Sequence, residues 1–505
     1  MICVILLLST VLYAERLPNQ LLQESSENTP FSSPQMACIP CRGPGPDPEA
    51  EYSKVTSNRP LKNWGRSYQF TPAVVVEAAT FEDVIEAVQD TEKYPTPVRA
   101  LGNIHTVTEA VVNEGGTVVL MRKLNQIIAV GNDDEGQTVT AQAGTTLLEL
   151  HNWLGKKGLE MLVAPEIGDA SVGSIVGSVT KDAGPGPPSE TGSLYKAIVG
   201  VKYVDHMGRV VRLSKKEHAA ELGLFKCSEG LLGIVLEVTF RVFPESLVQL
   251  SLKIMNTKDM VKKISTDILS KTRTAFILVQ PELSFIETRE PAPEGAEASS
   301  EFWWSLIAAF KLPNFQHGLV LFPFPLLKFL PYRACLYRRT QVNHYGEPGP
   351  RDNRLDFSWY EYPFERFEEV VTAFNAFTLD FAERHNGWRP GACATYFMER
   401  MTNKPHGWFS CKGKGYEKAG MSFTLDPIFN NPNDPNWRAF VKECNVFAVA
   451  HGGRVALTQT REMDRDTYLA CPGQVPLKEA PNKRFTTPFF ARFVEREGED
   501  IEIPL

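Results

Sequence analysis

His105 lies in the stretch VRALGNIHTV, residues 98–107, just after a short apolar run that ends at Gly102. An apolar run that enters a glycine and then turns polar reads as a strand feeding a tight loop. A glycine there lets the backbone approach a ligand closely, and loop amides left free of sheet pairing can point at an anion such as a pyrophosphate. The plainer reading of His105 is a hydrogen-bonded loop residue. The cysteines offer a second chemistry. Cys38 and Cys41 are two residues apart in ACIPCRGPGP, but no second close pair of Cys or His completes a zinc site, so a local disulfide is expected and no metal.

The rest of the chain must position these groups. Its 505 residues suit two packed domains or one domain with a large insertion, and a substantial core. A net charge of −7 without clustered Lys/Arg runs argues against nucleic acid as the main partner and leaves a small molecule. MICVILLLSTVLYA, residues 1–14, has the form of a signal peptide and implies a secreted or secretory-lumen protein, with an uncleaved membrane anchor as the alternative. No Asn-x-Ser/Thr acceptor site accompanies it. Residues 15–60, rich in Pro, Ser, Glu and Asn, read as an extended arm.

From residue 61 short strands and helices alternate. TPAVVVEAAT reads as a strand, and FEDVIEAVQDTEKY puts Phe81, Val84, Ile85 and Val88 on one helical face. GTVVLM (116–121) and QTVTAQAG (137–144) are predicted strands, and Thr146 with Glu149 forms a capping box for LLELHNWLGKKG. YKAIVGVKYVDHMGRVVRL reads as two strands about a turn at His206–Gly208, and CSEGLLGIVLEVTFRVFP closes the unit near Pro244. Beyond it, amphipathic segments such as KDMVKKISTDILSK and FERFEEVVTAFNAFTLDFAERH alternate with strands such as TAFILVQ. The segment EFWWSLIAAFKLPNFQHGLVLFPFPLLKFLP packs in the core or touches a membrane surface; its prolines prevent one long spanning helix.

Several ordered motifs together carry a resemblance: NWG (63–65), RALGNIHT, QAGTTLLELHNWL, EIGDASVGSIVGS, ETGSLYKAIVGVKYV and EGLLGIVLEVTFRV. Over residues 61–245 the chain resembles the PCMH-type FAD-binding domain of the vanillyl-alcohol-oxidase superfamily, nearest to its sugar-lactone and alditol oxidase branch (gulonolactone and D-arabinono-1,4-lactone oxidase). The resemblance implies an α+β fold: two α+β subdomains holding FAD, then a cap or substrate domain, residues 246–505, with a sheet covered by helices. By the same likeness, Arg99, Leu101, Gly102, Asn103, Ile104, His105 and Thr106 form the pyrophosphate loop. His105 takes the place of the histidine that relatives join covalently to the flavin 8α carbon. Ser171, Gly173, Ser174 and Gly177 match the family's second loop, and Gly233 and Ile234 its backbone contacts. Where relatives read Thr-His-Gly, this chain reads Thr180, Lys181, Asp182. No cysteine lies in VAPEIGDAS, so no second covalent link is expected.

The likeness also implies catalytic residues from the cap. FMERMTNKPHGWFS (397–410) aligns with a Glu-x-Arg pair followed by Ser: Arg400 and Ser410 match, while Met398 replaces the glutamate and Glu399 is one residue out of step. On a strand, Glu399 then points away from the face that Arg400 presents. HGGRVALTQTREM (451–463) resembles the family's C-terminal flavin-edge segment; Arg454 matches, whereas Ala456 and Gln459 stand for a histidine and a lysine. Arg400 and Gln459 can stabilise a developing alkoxide by charge and hydrogen bonding. His451, Arg461 and Tyr396 are the other candidates; histidine is the residue type most easily suited to a base near neutral pH, and His451 also precedes a Gly-Gly turn where a capping histidine is common. The function implied is hydride transfer from a CH–OH or activated C–H carbon to flavin N5, with O2 as acceptor and H2O2 as product. A biosynthetic oxidase or desaturase of a more apolar small molecule is one alternative. A protein that keeps flavin without turnover is another.

Overall fold

The computed structural model describes residues 55–161, 163, 165, 167–182, 192–226, 228–264, 269, 274–297, 336–339, 356–399, 420–471 and 483–494. The leader, most of the arm, Cys38 and Cys41, and the aromatic segment at 301–331 lie outside them. Ordered structure starts earlier than position 61. Val55–Ser57, inside the stretch expected to be an arm, is an edge strand antiparallel to Val74–Glu77, because two β-branched residues suffice to pair a sheet edge.

Three larger sheets organise the described residues. In the first, the strands Val74–Glu77, Thr117–Leu120 and Val98–Leu101 run parallel, with Thr117–Leu120 in the middle. All four central residues are buried, Val118 against one core cluster and Val119 against another, as a strand covered on both faces requires. The helix Phe81–Gln89 covers one face through Val84, Ala87 and Val88; Phe81 and Ile85 are only half-buried. Its N-terminus carries a Thr80/Asp83 capping box.

Five antiparallel strands form the second sheet, in the order 210–214, 198–204, 234–241, 136–142 and 127–133. The helices Leu147–Gly155 and Val172–Gly177 bury Leu147, Leu150, Leu154, Ile175 and Val176 against it. The Thr146/Glu149 capping box forms as expected.

The third sheet begins at Leu247 and has nine strands, with Thr274–Val279, Ala392–Glu399 and Met421–Phe429 at its centre. Strand alternation sorts its two faces. Ala275, Ile277, Phe397, Phe423 and Leu425 meet the helices Phe367–Arg384 and Pro435–Ala450, whose aromatic residues Phe374, Phe381 and Phe440 fill that core. The opposite face, with Phe276, Leu278, Ala394 and Tyr396, turns toward the first half of the chain.

Two devices bind the halves together. Trp359 and Ala456, from the third-sheet region, sit in the core of the second sheet. Arg484 plugs the C-terminal end of the helix Phe81–Gln89, donating to the carbonyls of Ala87, Val88 and Tyr94, while its own carbonyl accepts from Val98 N at 2.7 Å. Helix-end carbonyls that would otherwise lack partners are satisfied by one side chain.

Candidate flavin site

The strand Val98–Leu101 delivers the chain to a cavity of about 290 Å³ that lies between the glycine loops and the inner face of the third sheet. Ile104 stands at φ +58°, an outlier for a β-branched residue. It is held there by burial among Leu61, Phe70 and Val111 and by a 2.8 Å bond from Trp64 N to its carbonyl. Backbone strain of about 1–3 kcal/mol persists only where the surroundings over-determine the geometry. Here the NWG segment does so. Asn63 Nδ2 donates to the Thr106 carbonyl at 3.1 Å, and the Trp64 ring stacks on His105 with centroids 5.3 Å apart. His105 is thereby fixed at the cavity wall.

The second loop meets the first edge to edge. Asn103 Nδ2 donates to the Asp169 carbonyl at 2.8 Å, and Ser171, Gly173, Ser174 and Gly177 line the cavity from the start of the helix Val172–Gly177. Gly233 and Ile234 line it from the opening of the strand Ile234–Arg241, and Arg99, Leu101, Gly102, Asn103 and Thr106 line it from the first loop. A Cβ on Gly233 would lie 2.5 Å from both the Tyr203 ring and the Val204 carbonyl, so this glycine answers to strand packing.

Polar groups at this end await a polar ligand. Arg99 Nη1 and Ser228 Oγ are buried with no hydrogen-bond partner among the described residues. Burial brings the Arg99 guanidinium down to about 10, with Glu229 acting against the fall, so it stays charged at neutral pH. Burial pushes the Glu229 carboxyl up to about 7, against Thr458 and Arg99. A glycine-lined trough with a buried cation fits a pyrophosphate-bearing cofactor.

Where the cap closes the cavity, the expected residues divide. Gln459 lines it, but its Nε2 is committed to the Val179 carbonyl at 2.5 Å and ties the C-terminal segment to the second loop. His451 does not line it. This histidine caps the helix Pro435–Ala450, with Nδ1 3.0 Å from the Phe447 carbonyl and its ring stacked on Phe447 at 4.0 Å, so the capping reading replaces the catalytic one. Arg461 is buried in an ion pair with Asp356, and Arg454 in one with Glu361 at 2.7 Å. Arg400 and Ser410 lie outside the described residues. Glu399 pairs with Lys196, while Met398, on the other face, meets Ser193.

Sequence reasoning missed the groups that do occupy the cap side. Lys181 Nζ lies 2.7 Å from Asp426 Oδ2; both side chains are almost wholly buried and both line the cavity. The Lys181 ammonium also sits 5.2 Å from the Tyr396 ring centroid and 5.6 Å from that of Trp359. Burial raises the Asp426 carboxyl, with Lys181 and the Thr424 hydroxyl opposing, and lowers the Lys181 amine, with Asp426 opposing. The departure at Lys181 was visible in sequence; its partner, on a distant strand, was not.

Glycine loops from two α+β subdomains converge on a trough roofed by an antiparallel sheet. Residues 72–214 match a family model described as FAD binding domain. The chain is 22% identical to L-gulonolactone oxidase of Bos taurus over 256 residues, half of this chain and 57% of that one. It is 24% identical to D-arabinono-1,4-lactone oxidase of Eremothecium gossypii over 218 residues, 43% of this chain and 40% of that one. The matches thus span between two fifths and three fifths of these relatives' lengths. In fold it is similar to cholesterol oxidase from Brevibacterium sterolicum, with a TM-score of 0.65 over 90% of this chain and 100% of that one, at 14% identity.

Proposed function

We propose that this chain is an FAD-dependent oxidase that takes a hydride from the CH–OH, or a comparably activated C–H, of a small molecule and passes electrons on to O2, giving H2O2. The observation that carries the reading is the cavity itself, in which His105 and the glycine loops face the inner surface of the cap sheet. Bound there, FAD supplies the two-electron acceptor. The chain's residues do the rest. The loop at 102–106 and the turn at 171–177 would cradle the pyrophosphate, Arg99 sets a buried positive charge at the trough, and Gly233 and Ile234 line the same trough. The His105 imidazole, held by Trp64, is the residue that would anchor the flavin ring covalently. The cap sheet excludes water above it. The signal-peptide form of residues 1–14 supports a secretory compartment, where oxygen is at hand, with a membrane anchor as the alternative.

Acid precipitation of the purified protein tests the anchor. Yellow colour stays with the pellet in wild type and moves to the supernatant in His105→Ala. Anaerobic mixing with alcohols and lactones tests turnover: bleaching of the flavin band shows that electrons move. A colourless protein, or a yellow one whose band no donor bleaches, removes the oxidase reading.

A further inference from the structure

Among the described residues, the cap sheet's side of the cavity is apolar apart from one corner. Phe276, Leu278, Phe357, Ala394 and Ile428 line it, and the corner is made by Asp426, Lys181 and Tyr396. Gln459, the nearby amide, is already bound to Val179. Among the described residues, therefore, the cap sheet offers carboxylate chemistry at one point and hydrocarbon elsewhere, with Thr458 and Gln459 of the C-terminal segment as its only polar neighbours from the cap, which is a poor match to a polyol with a hydroxyl on every carbon.

Asp426 is built to be held still. It is on the central strand Met421–Phe429, opposite Ala394 in register, and one oxygen is locked to Lys181, which reaches across from the FAD-binding half. The other oxygen, Oδ1, is buried and has no partner of normal hydrogen-bond geometry among the described residues. Thr424 stands on the same strand face. Glu361 lies across from Thr424 in register but is committed to Arg454, and Asp182 is paired with Arg289 at 3.4 Å. Tyr396 and Cys393 lie on the neighbouring strand. Of the carboxylates in this cluster, Asp426 is the one that lines the cavity.

We propose that Asp426, positioned by Lys181, accepts the hydroxyl proton of an alcohol whose remaining skeleton is apolar. This rests on the oxidase reading above. The O–H bond breaks with its proton passing to the Asp426 carboxylate. The C–H bond of the same carbon breaks with its electron pair leaving with the hydrogen to the flavin, which is reduced as the carbon becomes a carbonyl. Burial favours this role, since a carboxyl raised above its ordinary range takes a proton more readily. The pair brings its two charges from two different elements, Lys181 from the first half of the chain and Asp426 from the strand Met421–Phe429.

The test compares wild type with Asp426→Asn, Lys181→Met and the charge-free double variant Asp426→Asn/Lys181→Met, the last in case a lone buried ammonium prevents folding. Binding is read from the flavin spectrum with 1-methylcyclohexanol, which has no carbinol hydrogen to lose; reduction is read anaerobically with cyclohexanol and cyclohexylmethanol, and with sorbitol and gulono-1,4-lactone for contrast. Expected are spectral binding in wild type and in the double variant, and reduction by the cyclohexyl alcohols that falls by about 10²–10⁴-fold on loss of the base. The rate in wild type rises with pH; Lys181→Met moves that rise to higher pH, because removing the cation makes Asp426 harder to ionise. The proposal is overturned by Asp426→Asn reducing within threefold of wild type. It is equally overturned by a flavin-bearing wild type that responds to sorbitol or the lactone and whose spectrum no cyclohexyl alcohol perturbs. A wild type without flavin fails one step earlier and removes the oxidase reading with it.

Discussion

Gly102 and Ser171 stand so close that a Cβ on the glycine would lie 2.2 Å from the serine Oγ and 2.8 Å from its Cβ. The contact sets the spacing between the two loops that line the cavity. With the bond from Asn103 to Asp169 beside it, the loops behave as one wall.

Gly102→Ala therefore pushes the loops apart. Overpacking of this kind costs about 1–3 kcal/mol, and the expected result is a lower urea midpoint together with a smaller flavin-to-protein absorbance ratio. An alanine variant with full colour and an unchanged midpoint would show that the wall is soft.

Glu229 gives a pH signature. Its folded carboxyl is pushed up to about 7 by burial, against an ordinary value of 4.5. Between these values the unfolded chain has released the proton and the folded one has kept it. Stability from this group accordingly falls as pH rises through that window, by up to about 3 kcal/mol. Urea unfolding at pH 5 and pH 8 should show the loss in wild type and a flatter response in Glu229→Gln. Identical slopes in both proteins would assign the effect elsewhere.

Asp356 holds the buried Arg461 guanidinium and also accepts from the Trp437 indole at 2.6 Å. Asp356→Ala strands that cation in the core and should cost about 3–5 kcal/mol, whereas Asp356→Leu combined with Arg461→Met should recover much of it. A single variant within 1 kcal/mol of wild type would mean that water reaches the arginine.

His451 separates a helix cap from a base. His451→Ala should lower stability by about 1 kcal/mol through the lost bond to Phe447, and leave flavin reduction within about twofold. A hundredfold slower reduction, the scale of a missing base, would restore the catalytic reading.

What could be read in the chain was local. The Thr146/Glu149 box, the helix carrying Val84 and Val88, and the strands leading to His105 each announce themselves within a few residues. The strand Ile127–Asp133 did not, because its outer half is exposed and ends in Gly131, Asn132 and Asp133, with no alternation to trace. Nothing in a sequence marks the positive φ of Ile104, since the outlier is imposed by Trp64 and the surrounding core. The Lys181–Asp426 pair was equally hidden: each residue looks like an ordinary surface charge until the third sheet folds over the first half.

Arg484 has a consequence in time. It sits 397 residues after one of the carbonyls it satisfies, Ala87. At about 5–20 residues per second, a ribosome needs about 20–80 s to travel that distance. Throughout that interval the Ala87 and Val88 carbonyls lack the guanidinium that satisfies them in the folded chain. A premature stop ahead of Arg484 would leave those carbonyls without it for good.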